Sequence, residues 1–237
     1  MTEPVDRDHL LKVMRRNFVF LPFCGDEARR WYSELLGTEP VDIRFKILEG
    51  FKALRNLDLE SGATLLNEAE RDLRRKDAER SSVLHYVERY RLTALAYLQY
   101  LNGDLEAAKL SLAQGYEEIR HLITCNRFLI PVAAECTDFI ISNARIARRE
   151  RQWREAERQI EFLRDIYLGR RPFCTLGSGE PVGRAEIRDF YAELPLSEEQ
   201  RAEVHTSILG QDTTLSARID QLEAQIYALP DMVIPYL

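Results

Sequence analysis

Gly103-Asp104-Leu105-Glu106-Ala107-Ala108 stands 48 residues before Arg151-Gln152-Trp153-Arg154-Glu155-Ala156. Each hexapeptide sits where one long helical pattern ends and another begins. Asn102-Gly103 is a C-terminal helix stop, and Asp104 is placed to cap the helix that follows. Between residues 41 and 168 glycine and proline are rare, so the region reads as helices with short breaks. Ile43, Ile47, Phe51 and Leu54 recur at helical spacing, and Leu59 to Leu73 is a second amphipathic run. Ser81 or Ser82 opens a helix that ends near Gly103, and Pro131 suits the first turn of one reaching about Glu150. The spacing predicts three helix pairs, over about 42–76, 81–124 and 127–168. Aligning the small residue of each second helix puts Gly62, Ala108 and Ala156 in register, at steps of 46 and 48. Near-equal steps favour an internal repeat over the alternative, an irregular α-helical bundle that merely contains hairpins, and stacked hairpins more often build a binding surface than a reaction centre.

The pattern resembles tetratricopeptide-like helical repeats over about 130 residues. In that family a second helix reads roughly Gly-Asp-Tyr-x-x-Ala, then a large apolar residue four positions on and a small one three beyond. The middle unit carries Gly103, Asp104, Leu105, Ala108, Leu112 and Gly115. The third has Trp153, Ala156, Ile160 and Leu163, and the first has Leu59, Gly62, Leu66 and Ala69. The small position of the first helix falls on Gly50, Ala96 and Ala144. The steps exceed the family's usual ~34 residues, so the helices here are longer. The resemblance implies an all-α α-solenoid whose concave groove is lined by first-helix residues.

A tyrosine stripe coincides with that groove. Tyr86, Tyr90, Tyr97 and Tyr100 fall at i, i+4, i+11 and i+14, with Thr93 at i+7, all on one helix face. Leu84, Leu92, Leu95 and Ala96 supply a separate aliphatic face, so the tyrosines are surplus to ordinary packing. Carried over by register, the groove comprises Arg44, Ile47, Phe51, Leu54 and Arg55 in the first unit. The second contributes Tyr90, Thr93, Tyr97 and Tyr100, and the third Asp138, Ile141, Arg145, Arg148 and Arg149. Tyrosine offers contact area at low entropic cost, and arginine forks grip carboxylates or phosphates. The expected partner is a protein or acidic peptide segment. The alternative is a stripe covered by residues 170–237 and used internally.

Three domains follow: an N-terminal helical segment over 1–40, the repeat array over 41–168, and a Gly/Pro loop with a helical cap over 169–237. Residues 169–183 hold four glycines and two prolines and break the helical pattern. Leu215, Ile219, Leu222, Ile226 and Leu229 form a short heptad seam, read as a cap on the solenoid or a homodimer contact.

Composition narrows the function classes. A formal charge of −6 argues against whole-surface affinity for nucleic acid. Of the 33 basic residues only five are lysines, so the cations are mostly planar forks. Arg145 to Arg171 holds nine arginines against five acids, and this patch carries the first alternative, a nucleic-acid-binding regulator. The interleaved Glu150, Glu155, Glu157 and Glu161 favour a salt-bridged surface instead. Cys24, Cys125, Cys136 and Cys174 show no paired spacing and read as thiols of a reducing, cytoplasmic compartment. Neither a signal pattern nor a membrane-length apolar run is present in the sequence.

Glu117, His121 and Cys125 share a helix face at i, i+4 and i+8, a spacing that suits metal ligation but more often marks a structural histidine and thiol. Leu176-Gly177-Ser178-Gly179-Glu180 lacks the lysine and the strand-to-helix setting of a phosphate loop. Neither a catalytic residue nor a cofactor or metal is assigned. The expected function is non-catalytic: an adaptor, chaperone-like or regulatory module. A second alternative is an all-α enzyme or small-molecule sensor with a pocket under the 169–183 loop.

Overall fold

The computed structural model describes residues 38–75, 82–125, 127–192 and 198. The predicted N-terminal segment up to residue 37 and the heptad seam Leu215 to Leu229 lie outside the described residues. Within them the protein is mostly α-helical. The helices are α1 (Thr38–Arg55), α2 (Leu59–Arg75), α3 (Ser82–Asn102), α4 (Leu105–Cys125), α5 (Cys136–Arg149), α6 (Trp153–Tyr167) and α7 (Arg184–Ala192). A 3₁₀ segment, Arg127–Glu135, precedes α5. A two-stranded antiparallel hairpin, β1 (Cys174–Thr175) and β2 (Pro181–Val182), pairs Cys174 with Val182 and Thr175 with Pro181.

Consecutive helices pack as antiparallel pairs: α1 on α2, α3 on α4, α5 on α6. Successive pairs also touch, α1 and α2 through α3, and α4 through α5. The three turns within the pairs share one backbone design. Leu57, Gly103 and Arg151 each take a left-handed conformation, with φ of 62°, 81° and 61°. The next amide reaches back five residues in every case: Asp58 N to Ala53 O at 3.0 Å, Asp104 N to Gln99 O at 2.9 Å, and Gln152 N to Ala147 O at 2.8 Å. The left-handed residue itself donates to the carbonyl three before it, on Leu54, Tyr100 and Arg148. This double closure satisfies carbonyls that the helix end leaves bare. Asp58 and Asp104 then cap the next helix, each accepting a backbone N–H from three residues on, Ser61 and Ala107, at 3.1 Å. Gln152 provides no such side-chain cap.

The small and apolar register positions are where the pairs close. Gly62, Leu66 and Ala69 are buried on α2, Ala108, Leu112 and Gly115 on α4, and Ala156, Ile160 and Leu163 on α6. Their first-helix counterparts Gly50, Ala96 and Ala144 are buried too. Small residues there let two backbones approach. A Cβ on Gly62 would meet Leu54, and one on Gly115 would meet the Phe139 ring.

One expectation needs correction. The helix from Pro131 is not α-helical at its start: the chain stays 3₁₀ to Glu135, and α5 begins at Cys136. Proline has no backbone N–H and disfavours the α conformation of the residue before it. The Gly/Pro stretch, expected as a loop or an extended excursion, forms the short β1–β2 hairpin and packs on the protein. Phe173, Cys174, Leu176 and Val182 are buried, and the Arg120 Nε–H of α4 donates to Thr175 O at 2.6 Å.

Candidate functional site

The tyrosine stripe of α3 lies where side chains from α1 and α5 converge. At one end Arg44 of α1 stacks over Tyr86 and Tyr90, with its guanidinium carbon 5.3 and 4.6 Å from the ring centroids. Arg89, one residue before Tyr90, lies 3.8 Å from the Tyr90 centroid. Tyr90 is thus in contact with two cations. The Tyr86 and Tyr90 hydroxyls are 3.1 Å apart and share a hydrogen bond. Burial pushes the Tyr90 phenol up, but the charges of Arg89 and Arg44 and the hydrogen bond from Tyr86 bring it down to about 8.

Arg89 is only 1% exposed and forms an ion pair with Glu135, the last residue of the 3₁₀ segment. The pair ties the first half of α3 to the start of α5. Thr93, also buried, turns its hydroxyl to Arg89 O at 3.0 Å and contributes no groove surface.

At the other end Phe51 of α1 meets Tyr97 with ring centroids 5.4 Å apart. Burial raises the Tyr97 phenol, while the nearby Arg55 and Arg145 charges oppose the rise. Arg149 of α5 lies over Tyr100 at 4.5 Å and donates to the Tyr100 carbonyl. Arg145 lies between these tyrosines and Asp138. Burial lowers its pKa, with Tyr100, Asp138 and Tyr97 opposing. Its Nη1 is sealed from solvent and makes no hydrogen bond among the described residues.

The residues expected to line a groove are therefore brought together, but not as one open surface. Arg44 and Tyr97 are buried, at 6% and 4% exposure. Ile47, Leu54 and Ile141 are core residues as well. The physical reason is that α1 packs directly on α3, so rings and guanidinium planes stack on each other. Phe51, Arg55, Tyr90, Tyr100, Arg145 and Arg148 are half-buried, and Arg149 is exposed. Arg89 and Glu135 were missed. The available signal was Glu135, the one acid in the apolar run Phe128 to Cys136.

The arginine-rich stretch divides by helix face. Arg158 pairs with Glu155 at 2.8 Å, and Arg170 and Arg171 both reach Asp165, at 3.5 and 3.3 Å. Arg145 and Arg149 turn to the tyrosines instead.

Elsewhere, a recess of about 370 Å³ lies between α2, α3 and α4, lined by Glu70, Leu73, Arg74, Leu84, Glu88, Arg91 and Glu118. Both of its arginines are paired: Arg91 grips Glu88 with two bonds of 2.7 Å, and Arg74 meets Glu70 at 2.5 Å. Glu118 meets His85 Nδ1 at 2.5 Å, and His85 stacks on His121 with centroids 5.7 Å apart. His121, Glu117 and Cys125 are exposed, and among the described residues no group of three histidine, cysteine or acidic side chains is arranged to hold a metal ion. No helix among the described residues is long and apolar enough to cross a membrane.

No protein-family model matches the chain, nor does any curated protein or solved structure.

Proposed function

We propose that the chain is a non-catalytic protein- or peptide-binding module, adaptor, chaperone-like or regulatory, built as a tetratricopeptide-like stack of helical hairpins in the cytoplasm. The matching burial of Gly62, Ala108 and Ala156 on the second helix of each pair, and of Gly50, Ala96 and Ala144 on the first, supports the stack. The partner segment lies along the half-buried strip of Phe51, Arg55, Tyr90, Tyr100, Arg145 and Arg148, with the exposed Arg149 at its edge. Tyr97 and Arg44 act beneath it, holding the rings in place.

The observation that carries this reading is Arg145. On the other faces, arginines meet carboxylates: Arg91 with Glu88, Arg120 with Glu117, Arg158 with Glu155. Arg145 instead lies beside Tyr97 and Tyr100, with Asp138 the one acid near it among the described residues, and its Nη1 meets no hydrogen-bond partner among them. Arg145 as a whole is only half-buried, so the exposed part of its guanidinium can donate a charge-assisted hydrogen bond to the acidic side chain of a bound segment. The nucleic-acid alternative has less support, since Arg158, Arg170 and Arg171 are occupied by Glu155 and Asp165.

The test is capture from native lysate with wild type and with Tyr100→Ala/Arg145→Glu, both checked for helicity by circular dichroism. A protein retained by wild type and lost by the variant supports the strip as partner site. Identical captures count against it.

A further inference from the structure

We propose that the recess between α2, α3 and α4 is a binding site for a small organic cation, an ammonium or guanidinium group on a short apolar chain. Its volume of about 370 Å³ falls at the lower end of the range for small-molecule pockets. The site is separate from the partner strip. Leu84, Glu88 and Arg91 recur at helical spacing on the face of α3 turned away from Tyr90, Tyr97 and Tyr100.

The donors in the recess are already engaged. Arg91 has only 8% of its side chain exposed. Its Nε and Nη2 both donate to Glu88, at 2.7 Å each, and its Nη1 faces Glu70 Oε2 at 3.7 Å. At the rim the exposed Arg74 donates to Glu70 Oε1 at 2.5 Å. An anion entering here competes with carboxylates for N–H groups that are taken, and it meets their negative charge.

The acceptors are in surplus. Three carboxylates, on Glu70, Glu88 and Glu118, face two guanidinium groups. His85 Nδ1 donates to Glu118 Oε2 at 2.5 Å, and Glu118 Oε1 accepts no hydrogen bond among the described residues. Glu70 Oε2 has the 3.7 Å ion pair with Arg91, which is too long for a hydrogen bond. With His85 neutral the lining carries one negative charge in excess. The Glu118 side chain is 16% exposed, so its charge is less screened than one in bulk water. A ligand bringing N–H donors and positive charge answers both the open oxygens and the excess charge.

The apolar part of the ligand has its own place. Leu73 of α2 and Leu84 of α3 line the same recess at the edge of the core, and an alkyl chain laid on them leaves water. His85 is outside the lining. It stacks on His121 with centroids 5.7 Å apart and holds the Glu118 carboxylate in position from behind.

The experiment titrates the full-length chain with n-pentylammonium and n-pentylguanidinium at constant ionic strength, read by saturation-transfer NMR. Pentanol and pentanoate serve as neutral and anionic controls of the same length. The expected result is saturable binding of both cations with a Kd on the order of 1 mM. Pentanol should bind about tenfold more weakly, and pentanoate more weakly still. Glu118→Gln and Glu70→Gln, each of wild-type helicity, should each weaken the cations by about tenfold. Equal binding of pentanol and n-pentylammonium overturns the proposal, as does no saturable binding of either cation at about ten times the expected Kd. Unchanged affinity in both variants places the cations elsewhere and overturns it too. If Glu118→Gln fails to fold, Glu70→Gln, whose carboxylate is more exposed, decides the matter with the wild-type controls.

Discussion

Leu54 occupies the space that a side chain on Gly62 would need. A Cβ built on Gly62 lies 2.3 Å from Leu54 Cδ2 and 3.2 Å from Gly50 O. The α1–α2 crossing is therefore a glycine contact at Gly50 and Gly62 with Leu54 packed over it. Gly62→Ala gains about 1 kcal/mol of helix propensity and loses about 2–3 kcal/mol to overpacking, because Leu54 is fully buried and cannot step aside. The net expectation is a lower urea midpoint. A midpoint raised by Gly62→Ala would show the crossing to be loose.

The turn residues predict changes of opposite sign. Leu57 and Arg151 hold positive φ with a Cβ in the way, whereas Gly103 adopts it freely. Leu57→Gly and Arg151→Gly should each raise stability, by about 1 kcal/mol less the entropy glycine adds to the unfolded chain. Gly103→Ala should lower it by about 1 kcal/mol. Urea denaturation of the three variants reads all of these, and a uniform loss would contradict a shared turn. Leu57 is also 71% exposed, so its removal forfeits little packing.

Arg89 and Glu135 make a buried ion pair between α3 and the start of α5. Arg89→Met leaves the Glu135 carboxylate without its cation and should cost about 3–5 kcal/mol. The double variant Arg89→Met/Glu135→Leu should recover most of that loss. A double-mutant cycle measures the coupling, and additive single losses would mean the two groups act independently.

Tyr90 sets a pH dependence. Its phenol is held at about 8, against 10.0 for an ordinary tyrosine. An acid whose folded pKa is depressed contributes stability that is complete above its unfolded pKa and is lost as pH falls through the folded one. Tyr90 thus adds up to about 3 kcal/mol above pH 10 and nothing below pH 8, rising between the two. The phenolate absorbance of wild type should show one tyrosine ionising near pH 8, and Tyr90→Phe should remove that step. An unchanged titration in Tyr90→Phe would sink the assignment.

What was legible in the sequence follows the range of the physics. Gly103 and Asp104 announce a turn and a cap locally, and the hydrogen bonds confirm both. Gly62, Ala108 and Ala156 revealed the period because a close helix contact tolerates only small residues. The matching turn positions at Leu57 and Arg151 were hidden, since neither residue type advertises a positive φ. The tyrosine stripe was visible as helical spacing, but its partial burial was not. Burial of Tyr97 and Arg44 is decided by how α1 lies on α3, which no single helix encodes. The Arg89–Glu135 contact joins residues 46 apart and belongs to tertiary packing alone.

The most direct test of partner recognition by the strip is retention of an immobilised randomised decapeptide library by wild type and by Arg145→Gln. The account predicts that wild type retains peptides enriched in aspartate and glutamate beside an apolar residue. It predicts that Arg145→Gln, of equal helicity, loses the acidic enrichment by about tenfold, as expected for one charge-assisted hydrogen bond. The same acidic enrichment in both proteins would contradict the role of Arg145, and no retained peptide at all would contradict the peptide-binding reading itself.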